Sequence, residues 1–212
     1  MIKKVTLEEF PLFFTRASTG TCFQAQIYSV KGGNNVRVRC NWRYSELTID
    51  PDDDSEFIWN ITKINDTHVS LSPHNSCISS AIYASVRDDY DWSLLTQAPH
   101  SANWITAVDR NETLEMHIGD LMISTFKGFN GKLMQKDDNI TSQEGHKGYR
   151  LRSVGSNESD NTTWFLSVHN IASEGYEWSG RDININELRN SLAKRNISLQ
   201  NNQLEELCEL IN

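Results

Sequence analysis

The chain lacks the long apolar run that a membrane-spanning helix requires. Such a helix needs about 20 consecutive, mainly apolar residues, whereas polar and charged residues interrupt every hydrophobic stretch of these 212 residues. Blocks of lysine or arginine are also absent, and 28 acidic against 20 basic side chains give a formal charge of −8. A phosphate backbone or an anionic membrane surface would be repelled on average. The sequence therefore predicts no membrane span, no membrane partner and no nucleic-acid partner.

Short motifs of catalysis and cofactor binding are missing as well. The chain contains no phosphate loop of the G-x-x-x-x-G-K-[ST] type, no G-x-G-x-x-G and no G-x-S-x-G. The six histidines do not have the spacing of a zinc site, and the acidic run at 50–56 departs from a calcium loop at Ser55 and Ile61. We therefore expect no cofactor, no metal and no catalytic residue. An enzyme stays an alternative, because carboxylate pairs converge in space and not in sequence.

The spacing of the cysteines and the residues at the start of the sequence predict the cellular compartment of the protein. The four cysteines have no C-x-x-C pair, and the apolar region that a secretion signal needs is interrupted by Glu8, Glu9 and Pro11. Reduced thiols and a cytoplasmic protein are the expectation. Seven N-x-S/T triplets are the contrary sign, so secretion without a recognisable signal is the alternative.

What is present from about residue 20 to residue 180 is the period-2 alternation of half-buried strands. Turn-forming glycine, asparagine, aspartate and serine separate the alternating segments. Aromatic residues are sufficient for a packed core, with six Trp, six Tyr and eight Phe. The alternating segments include residues 26–30, 36–40, 57–64, 68–72, 81–86, 104–108, 114–118, 149–154 and 164–168. The pattern predicts a mainly β body.

Three aromatic-led segments suggest an internal repeat. Trp59, Trp92 and Tyr149 each begin a strand that a turn connects to a second strand. Three units of four short strands resemble the β-trefoil superfamily, which includes lectin-like, fascin-like and inhibitor-like proteins. The Q-x-W triplet typical of ricin-type sugar domains is absent, so their binding residues are not transferred to this chain. A β-sandwich would satisfy the same alternation and is the alternative fold.

After Gly180 the hydrophobic period changes to that of a helix. Leu188 and Leu192 share one face of a first helix, with Asn184 and Glu187 placed to cap its start. Leu204, Leu207, Cys208 and Ile211 form a second apolar stripe. We therefore predict two parts, a β-trefoil-like domain over residues 1–180 and a C-terminal helical hairpin over residues 181–212. The apolar faces of the hairpin pack on the body or, as the alternative, form a homo-oligomer.

Candidate ligand-binding residues come from aromatic and acidic side chains in turn-like contexts. In the stretch 87–92, Asp88 and Asp89 could accept hydrogen bonds from sugar hydroxyls while Tyr90 offers a ring face. The same aspartates could equally stabilise a tight turn. Trp42 and Trp178 lie in polar segments and are the predicted stacking residues.

The resulting hypothesis is a non-catalytic binding module that recognises carbohydrate with its surface loops. Affinity would come from ring stacking, and orientation from Asp and Asn side chains. The alternative is a protein–protein interaction module, fascin-like or inhibitor-like, in which long loops such as 127–147 contact a partner. The third hypothesis is an enzyme whose site forms only in the fold.

Overall fold

A computed structural model describes residues 1–40, 45–53, 55–74, 81–87, 91–96, 113–143 and 146–212. Strands dominate it, which confirms the predicted mainly β class with a C-terminal helical hairpin. No helix in the described ranges is long and apolar enough to cross a bilayer. The strands are β1 (Lys3–Thr6), β2 (Cys22–Ser29), β3 (Arg37–Cys40), β4 (Ser45–Ile49), β5 (Trp59–Lys63), β6 (His68–Pro73), β7 (Ala81–Arg87), β8 (Asp91–Thr96), β9 (Leu114–Ile118), β10 (Ile123–Lys127), β11 (Leu133–Gln143), β12 (His146–Gly155), β13 (Trp164–Ile171) and β14 (Tyr176–Ser179). The helices are α1 (Phe10–Arg16), α2 (Ile185–Ala193) and α3 (Asn201–Ile211), with a 3₁₀ turn at Asp120–Met122.

Strands β2, β5, β6, β9, β10 and β13 close into a barrel. Each pairs with its neighbour in that order, and β10 pairs with β13 to complete the ring. The remaining hairpins β3–β4, β7–β8 and β11–β12 meet beside the barrel, where β4 pairs with β8 and β12, and β12 pairs with β8. Three successive units of four strands therefore build a trefoil-like body. A two-sheet sandwich has no such closure.

The units are β2–β5, β6–β9 and β10–β13, which corrects the predicted register of the repeat. Trp59 begins the fourth strand of the first unit, whereas Trp92 and Tyr149 lie in the third strands of the second and third units. The residue equivalent to Trp59 is Trp164, at the start of β13. The Trp59 indole N–H donates to the Val36 carbonyl at 2.9 Å, and that of Trp164 donates to the Met134 carbonyl at 3.1 Å. Both acceptors lie at the second strand of their own unit.

The barrel interior is apolar because alternate residues of each strand point inward. On β2 these are Phe23, Ala25 and Ile27, all fully buried, and the two equivalent tryptophans are fully buried as well. Gln24 and Gln26 alternate with these residues on β2 and therefore point to the outer face of the barrel. Residues 127–147, predicted as a long loop, include the whole of strand β11 (Leu133–Gln143), the end of β10 and the start of β12.

Helix α1 lies across one end of the first unit. Phe10 and Phe14 are buried on its inner face, and each meets the Phe23 ring in a T-shaped, edge-to-face contact. The Lys63 ammonium, 3% exposed, donates to the carbonyls of Phe14, Thr15 and Ala17 at 3.1, 2.7 and 2.8 Å. A cation at a helix C-terminus satisfies carbonyls that have no partner within the helix.

The helical hairpin packs against the barrel through its apolar stripe. Leu188, Leu192, Leu204 and Leu207 are buried in the same hydrophobic cluster as the barrel residues. The predicted cap is confirmed, since Asn184 accepts from the amide of Glu187 and the Glu187 carboxylate accepts from the amide of Asn184. The body of the same chain therefore covers the stripe.

Polar contacts fix the hairpin in place. Asp120 accepts from the Ser191 hydroxyl at 2.6 Å and from the Lys194 ammonium at 2.9 Å. Arg195 donates to the Ile123 carbonyl at 2.8 Å and pairs with Glu158. A Cβ at Gly119 would lie 2.1 Å from the Arg195 guanidinium, so a larger residue at this position would displace that side chain.

Replacing Leu188 by Ala tests the packing of the hairpin. The side chain is fully buried, and deleting such a group costs about 2–5 kcal/mol of unfolding free energy. Leu210→Ala, at a side chain that is 45% exposed, is the control and should change stability by about 0.5 kcal/mol or less. Urea denaturation of the two variants measures this. Equal effects would show that the stripe is not buried on the body.

The contact between Asp120 and the hairpin should depend on pH. Burial alone would raise the pKa of Asp120, but the hydrogen bonds from Ser191 and Lys194 outweigh it and lower the pKa below the ordinary value. A lowered folded-state pKa stabilises the protein above the unfolded-state pKa of about 3.9 and loses that effect as pH falls through the folded value. We expect Asp120→Asn to be destabilised relative to the unchanged protein at pH 7, and this difference to shrink progressively as pH falls below about 3.9 toward pH 3. Asp52→Asn, at an exposed position, should show no comparable difference between the two pH values in urea denaturation.

Candidate functional site

Four of the five predicted ligand-binding residues lie outside the described residues. These are Trp42, Asp88, Asp89 and Tyr90. The fifth, Trp178, belongs to β14, which pairs in parallel with β1. The structure thus places one predicted residue, and the site is built from there.

Trp178 is partly buried. The Phe10 ring meets the indole edge-on, with 5.4 Å between ring centroids and an interplanar angle of 84°. Gly180 lies against the same indole, because a Cβ built there would be 2.7 Å from Nε1 and 3.0 Å from Cε2. The ring is therefore held in one position, with part of its surface left accessible.

The accessible part of Trp178 lines a groove of about 340 Å³ between β13 and the segment that enters the helical hairpin. This volume is at the lower end of the range for small-ligand sites. One wall is formed by β13 and includes Phe165 and Ser167. The other walls are Leu7, Gly180, Arg181, Asp182, Ile183, Ile211 and Asn212.

Arg181, on the rim of the groove, forms ion pairs with two carboxylates. Its guanidinium donates to Glu8 at 2.6 Å and to Glu187 at 2.8 and 3.1 Å. These hydrogen bonds hold the pKa values of Glu8 and Glu187 below the usual range. Arg181 therefore holds Glu8 and Glu187 together at the rim of the groove. The two carboxylates in turn neutralise the charge of its guanidinium.

Beside the groove, a row of amides crosses the outer face of three barrel strands. Gln24 of β2 donates from Nε2 to Asn60 Oδ1 of β5 at 3.1 Å, and the same nitrogen lies 3.0 Å from His74 Nδ1. Asn170 of β13 donates from Nδ2 to Gln24 Oε1 at 3.5 Å. We call Asn60, Gln24 and Asn170 the first amide row.

A second row runs parallel to the first, two residues further along β2. Gln26 donates from Nε2 to Asn35 Oδ1 at 3.2 Å, and its Oε1 lies 2.8 Å from His169 Nε2. His169 Nδ1 lies 3.2 Å from a Glu56 oxygen. The side chains of His169 and Glu56 are 31% and 55% exposed, so both can be reached by a ligand. We call Asn35, Gln26 and His169 the second amide row.

Tyr28 extends the polar face beneath Glu56. Its side chain is almost fully buried, and burial, reinforced by the negative charge of Glu56, raises the pKa of Tyr28. The phenol therefore stays neutral and lies beside the second row, where it hydrogen-bonds Asn35 and Gln26.

Ser167 relates the groove to the second amide row. It belongs to the groove lining and lies directly opposite Gln26 in the register of β13 and β2. Residues opposite one another in an antiparallel pair point to the same face of the sheet. We refer to the groove and the two amide rows together as the outer-face site.

The chemistry of the outer-face site suits binding. Amides, a hydroxyl, an imidazole and one carboxylate present donors and acceptors in fixed directions, because the side chains hydrogen-bond one another before any ligand arrives. Within the described ranges, no three His, Cys, Asp or Glu side chains converge as a metal site. The arrangement is a pre-organised polar network in which Gln26 and Asn35 are buried, at 8% and 5% exposure, while His169 and Glu56 are accessible.

Comparison with known proteins identifies no relative by sequence. No family model matches the chain. The curated proteins give no significant match either.

Solved structures show similarity of fold. A chain of the S. cerevisiae protein O-mannosyltransferase Pmt1–Pmt2 complex bound to the sugar donor has a TM-score of 0.53 and 12% identity, over 84% of this chain and 30% of its own. Cry35Ab1 gives 0.49 and 13%, over 74% and 38%. The lysenin pore gives 0.47 and 14%, over 72% and 50%. This chain thus spans half of the neighbour's length or less in each case, and identities this low concern the fold alone.

Gly180→Ala tests whether the Trp178 indole is held against the backbone. The new methyl group would overlap the ring, so we expect a displaced indole and a loss of about 1–3 kcal/mol in unfolding free energy. The Trp178 Nε1–H resonance in an NMR spectrum reports the displacement. Gly155→Ala is the matched control, because a Cβ there meets no atom within 4 Å. An unshifted indole resonance in Gly180→Ala would contradict the packing.

Proposed function

We propose that this chain is a lectin-like member of the β-trefoil superfamily that binds a neutral carbohydrate without catalysis. The observation that supports the proposal is the pair of amide rows on the outer face of β13, β2 and β5. Their hydrogen bonds, between 2.8 and 3.5 Å, hold Gln24, Gln26 and His169 in place. Carbohydrates present closely spaced hydroxyl groups that donate and accept, which planar polar side chains can match.

Pre-organisation is the physical reason that such a surface can bind. A flexible glutamine loses up to about 2 kcal/mol of rotamer entropy when it is immobilised, and in the free protein these side chains are already immobilised by one another. A ligand that replaces water on them avoids most of that cost. Trp178 adds an apolar ring surface at one end of the site, suited to the C–H face of a pyranose.

Charge near the site favours a neutral ligand. Glu56 is exposed beside His169, and Asp182 lines the groove. The chain carries a formal charge of −8. An anionic sugar would be repelled on approach.

The remaining predictions belong to the same proposal. Trp42, Asp88, Asp89 and Tyr90 are proposed as further contacts made by the loops. The division into residues 1–180 and 181–212 is proposed as a body with an appendage. A homo-oligomer through residues 181–212 would have to use the exposed side of the hairpin, since the apolar stripe is buried on the body.

A protein partner is the second candidate, and one observation favours it. Phe129, in the turn between β10 and β11, is 52% exposed. A large ring at a loop tip is a common anchor in protein interfaces.

Binding to a broad glycan array tests the proposed function. We expect saturable binding with little dependence on salt, because the contacts are between neutral groups. Gln24→Ala removes the centre of the first amide row and should weaken binding about fivefold to tenfold, the equivalent of one or two hydrogen bonds. Asn157→Ala, at an exposed position, should bind as the unchanged protein does.

Two outcomes count against the proposal. The first is an array without any signal, which would favour the protein-partner alternative. The second is a signal that Gln24→Ala leaves unchanged while the melting temperature is also unchanged, which would place the sugar elsewhere on the molecule.

A further inference from the structure

The turn between β10 and β11 contains the one Asn–Gly pair of the 212 residues, Asn130–Gly131. The Gly131 N–H donates to the Gly128 carbonyl at 3.0 Å, and Gly131 has a positive φ of 74°. Glycine adopts this conformation without strain, so the turn itself accounts for glycine at this position. The lack of a side chain also leaves the Gly131 nitrogen unshielded, since a Cβ built there would meet no atom within 4 Å.

The Asn130 side chain is folded back toward this nitrogen. Its Oδ1 accepts from the Lys132 amide at 3.1 Å, which is the Asx-turn arrangement. The ring that this hydrogen bond closes includes the Gly131 nitrogen. The Asn130 carboxamide therefore stays next to Gly131 instead of extending into solvent.

Ser153 of β12 tethers the same carboxamide. Its hydroxyl is fully buried and lies 3.2 Å from both Oδ1 and Nδ2 of Asn130. The carboxamide can rotate onto the Gly131 nitrogen only after these contacts and the Gly131–Gly128 hydrogen bond have broken. Each contact that must break first adds to the barrier of a reaction at this side chain.

We propose that Asn130 is a site of spontaneous deamidation and that the tether to Ser153 restrains its rate. The Gly131 nitrogen attacks Cγ of Asn130, the Cγ–Nδ2 bond breaks, and the proton of the attacking nitrogen leaves with Nδ2 as ammonia. Water then adds to either carbonyl of the resulting succinimide, which yields aspartate or isoaspartate at position 130.

The two products differ in their effect on the turn. Aspartate keeps an oxygen for the Lys132 amide and for the Ser153 hydroxyl. Isoaspartate adds a methylene group to the backbone and so changes the geometry of the turn. Phe129, whose ring is 52% exposed, is the neighbouring residue. Isoaspartate would therefore displace the loop tip that the protein-partner alternative uses.

Peptide mapping by mass spectrometry, during incubation of the folded protein at pH 8 and 37 °C, tests the inference. We expect a gain of about 1 Da in the peptide that contains Asn130, with isoaspartate detected by isoaspartyl methyltransferase labelling. Conversion at Asn130 should be at least about tenfold faster than at the exposed Asn157, because the side chain of Glu158 shields the following nitrogen and glycine has none.

Ser153→Ala tests the tether. Without the hydroxyl, conversion at Asn130 should be about threefold to tenfold faster, the equivalent of one hydrogen bond. Ser124→Ala removes another fully buried serine, at the opposite end of β10 from the turn. It is the matched control for a general loosening of the fold and should leave the rate unchanged.

Four results would overturn the inference. They are the absence of any gain in mass, conversion at Asn130 no faster than at Asn157, equal rates in Ser153→Ala and the unchanged protein, and an equal acceleration in Ser124→Ala. The last result would show that the turn opens with the whole fold and not through loss of the tether. None of these outcomes affects the proposed sugar binding, which involves other strands.

Discussion

Two buried indole N–H groups connect the barrel to the hairpins beside it. Trp59 and Trp164 are fully buried at the starts of equivalent barrel strands, and each donates to a carbonyl at the second strand of its own unit, Val36 just before β3 and Met134 within β11. A buried N–H without an acceptor would cost about 1–3 kcal/mol, so ring and carbonyl must stay in register. The large rings fill the barrel, and their single polar atoms fix where the second strands begin. In the second unit Leu114 begins the equivalent strand, and it is fully buried without a polar atom to anchor.

The outer-face site depends on this closure. Gln24 and Gln26 face outward because Phe23, Ala25 and Ile27 face the interior that the tryptophans help to fill. Asn60, a partner of Gln24, comes from β5 of the same unit. Asn170 and His169, which contact Gln24 and Gln26, come from β13, which flanks β2 because the last strand of the third unit pairs with the first strand of the first unit. A bulge between Val168 and Asn170 brings His169 and Asn170 beside different glutamines. The interior thus determines the polar surface through strand parity.

The sequence allowed the class of fold and the helical hairpin to be predicted, because both depend on local periodicity. Asn184 and Glu187 marked the start of α2 correctly, since a capping box is a short-range pattern. The repeat was aligned wrongly at Trp59, because aromatic residues occur within third strands, as Trp92 and Tyr149 do, as well as at the start of fourth strands. Helix α1 was not predicted, since its seven residues include Pro11 and three phenylalanines, which do not form a long amphipathic pattern.

The site itself was mostly beyond prediction from sequence. Trp178 was predicted as a stacking residue from its polar context and stays a prediction, whereas Gln24, Gln26 and Asn60 are ordinary outward positions of amphipathic strands. Their association with His169 and Asn170 requires the pairing of strands that are about 145 residues apart in sequence. The alternation in the segment Phe23–Ile27 was the available signal, and it indicates which residues face outward without indicating what lies beside them.

The lysine at the end of β5 makes helix α1 dependent on a distant part of the chain. The ammonium that satisfies the last carbonyls of α1 belongs to a residue 46–49 positions later. A seven-residue helix is too short to be stable alone in water. Helix α1 therefore acquires its helical form only together with the first unit, so a short local element owes its shape to a contact made far along the sequence.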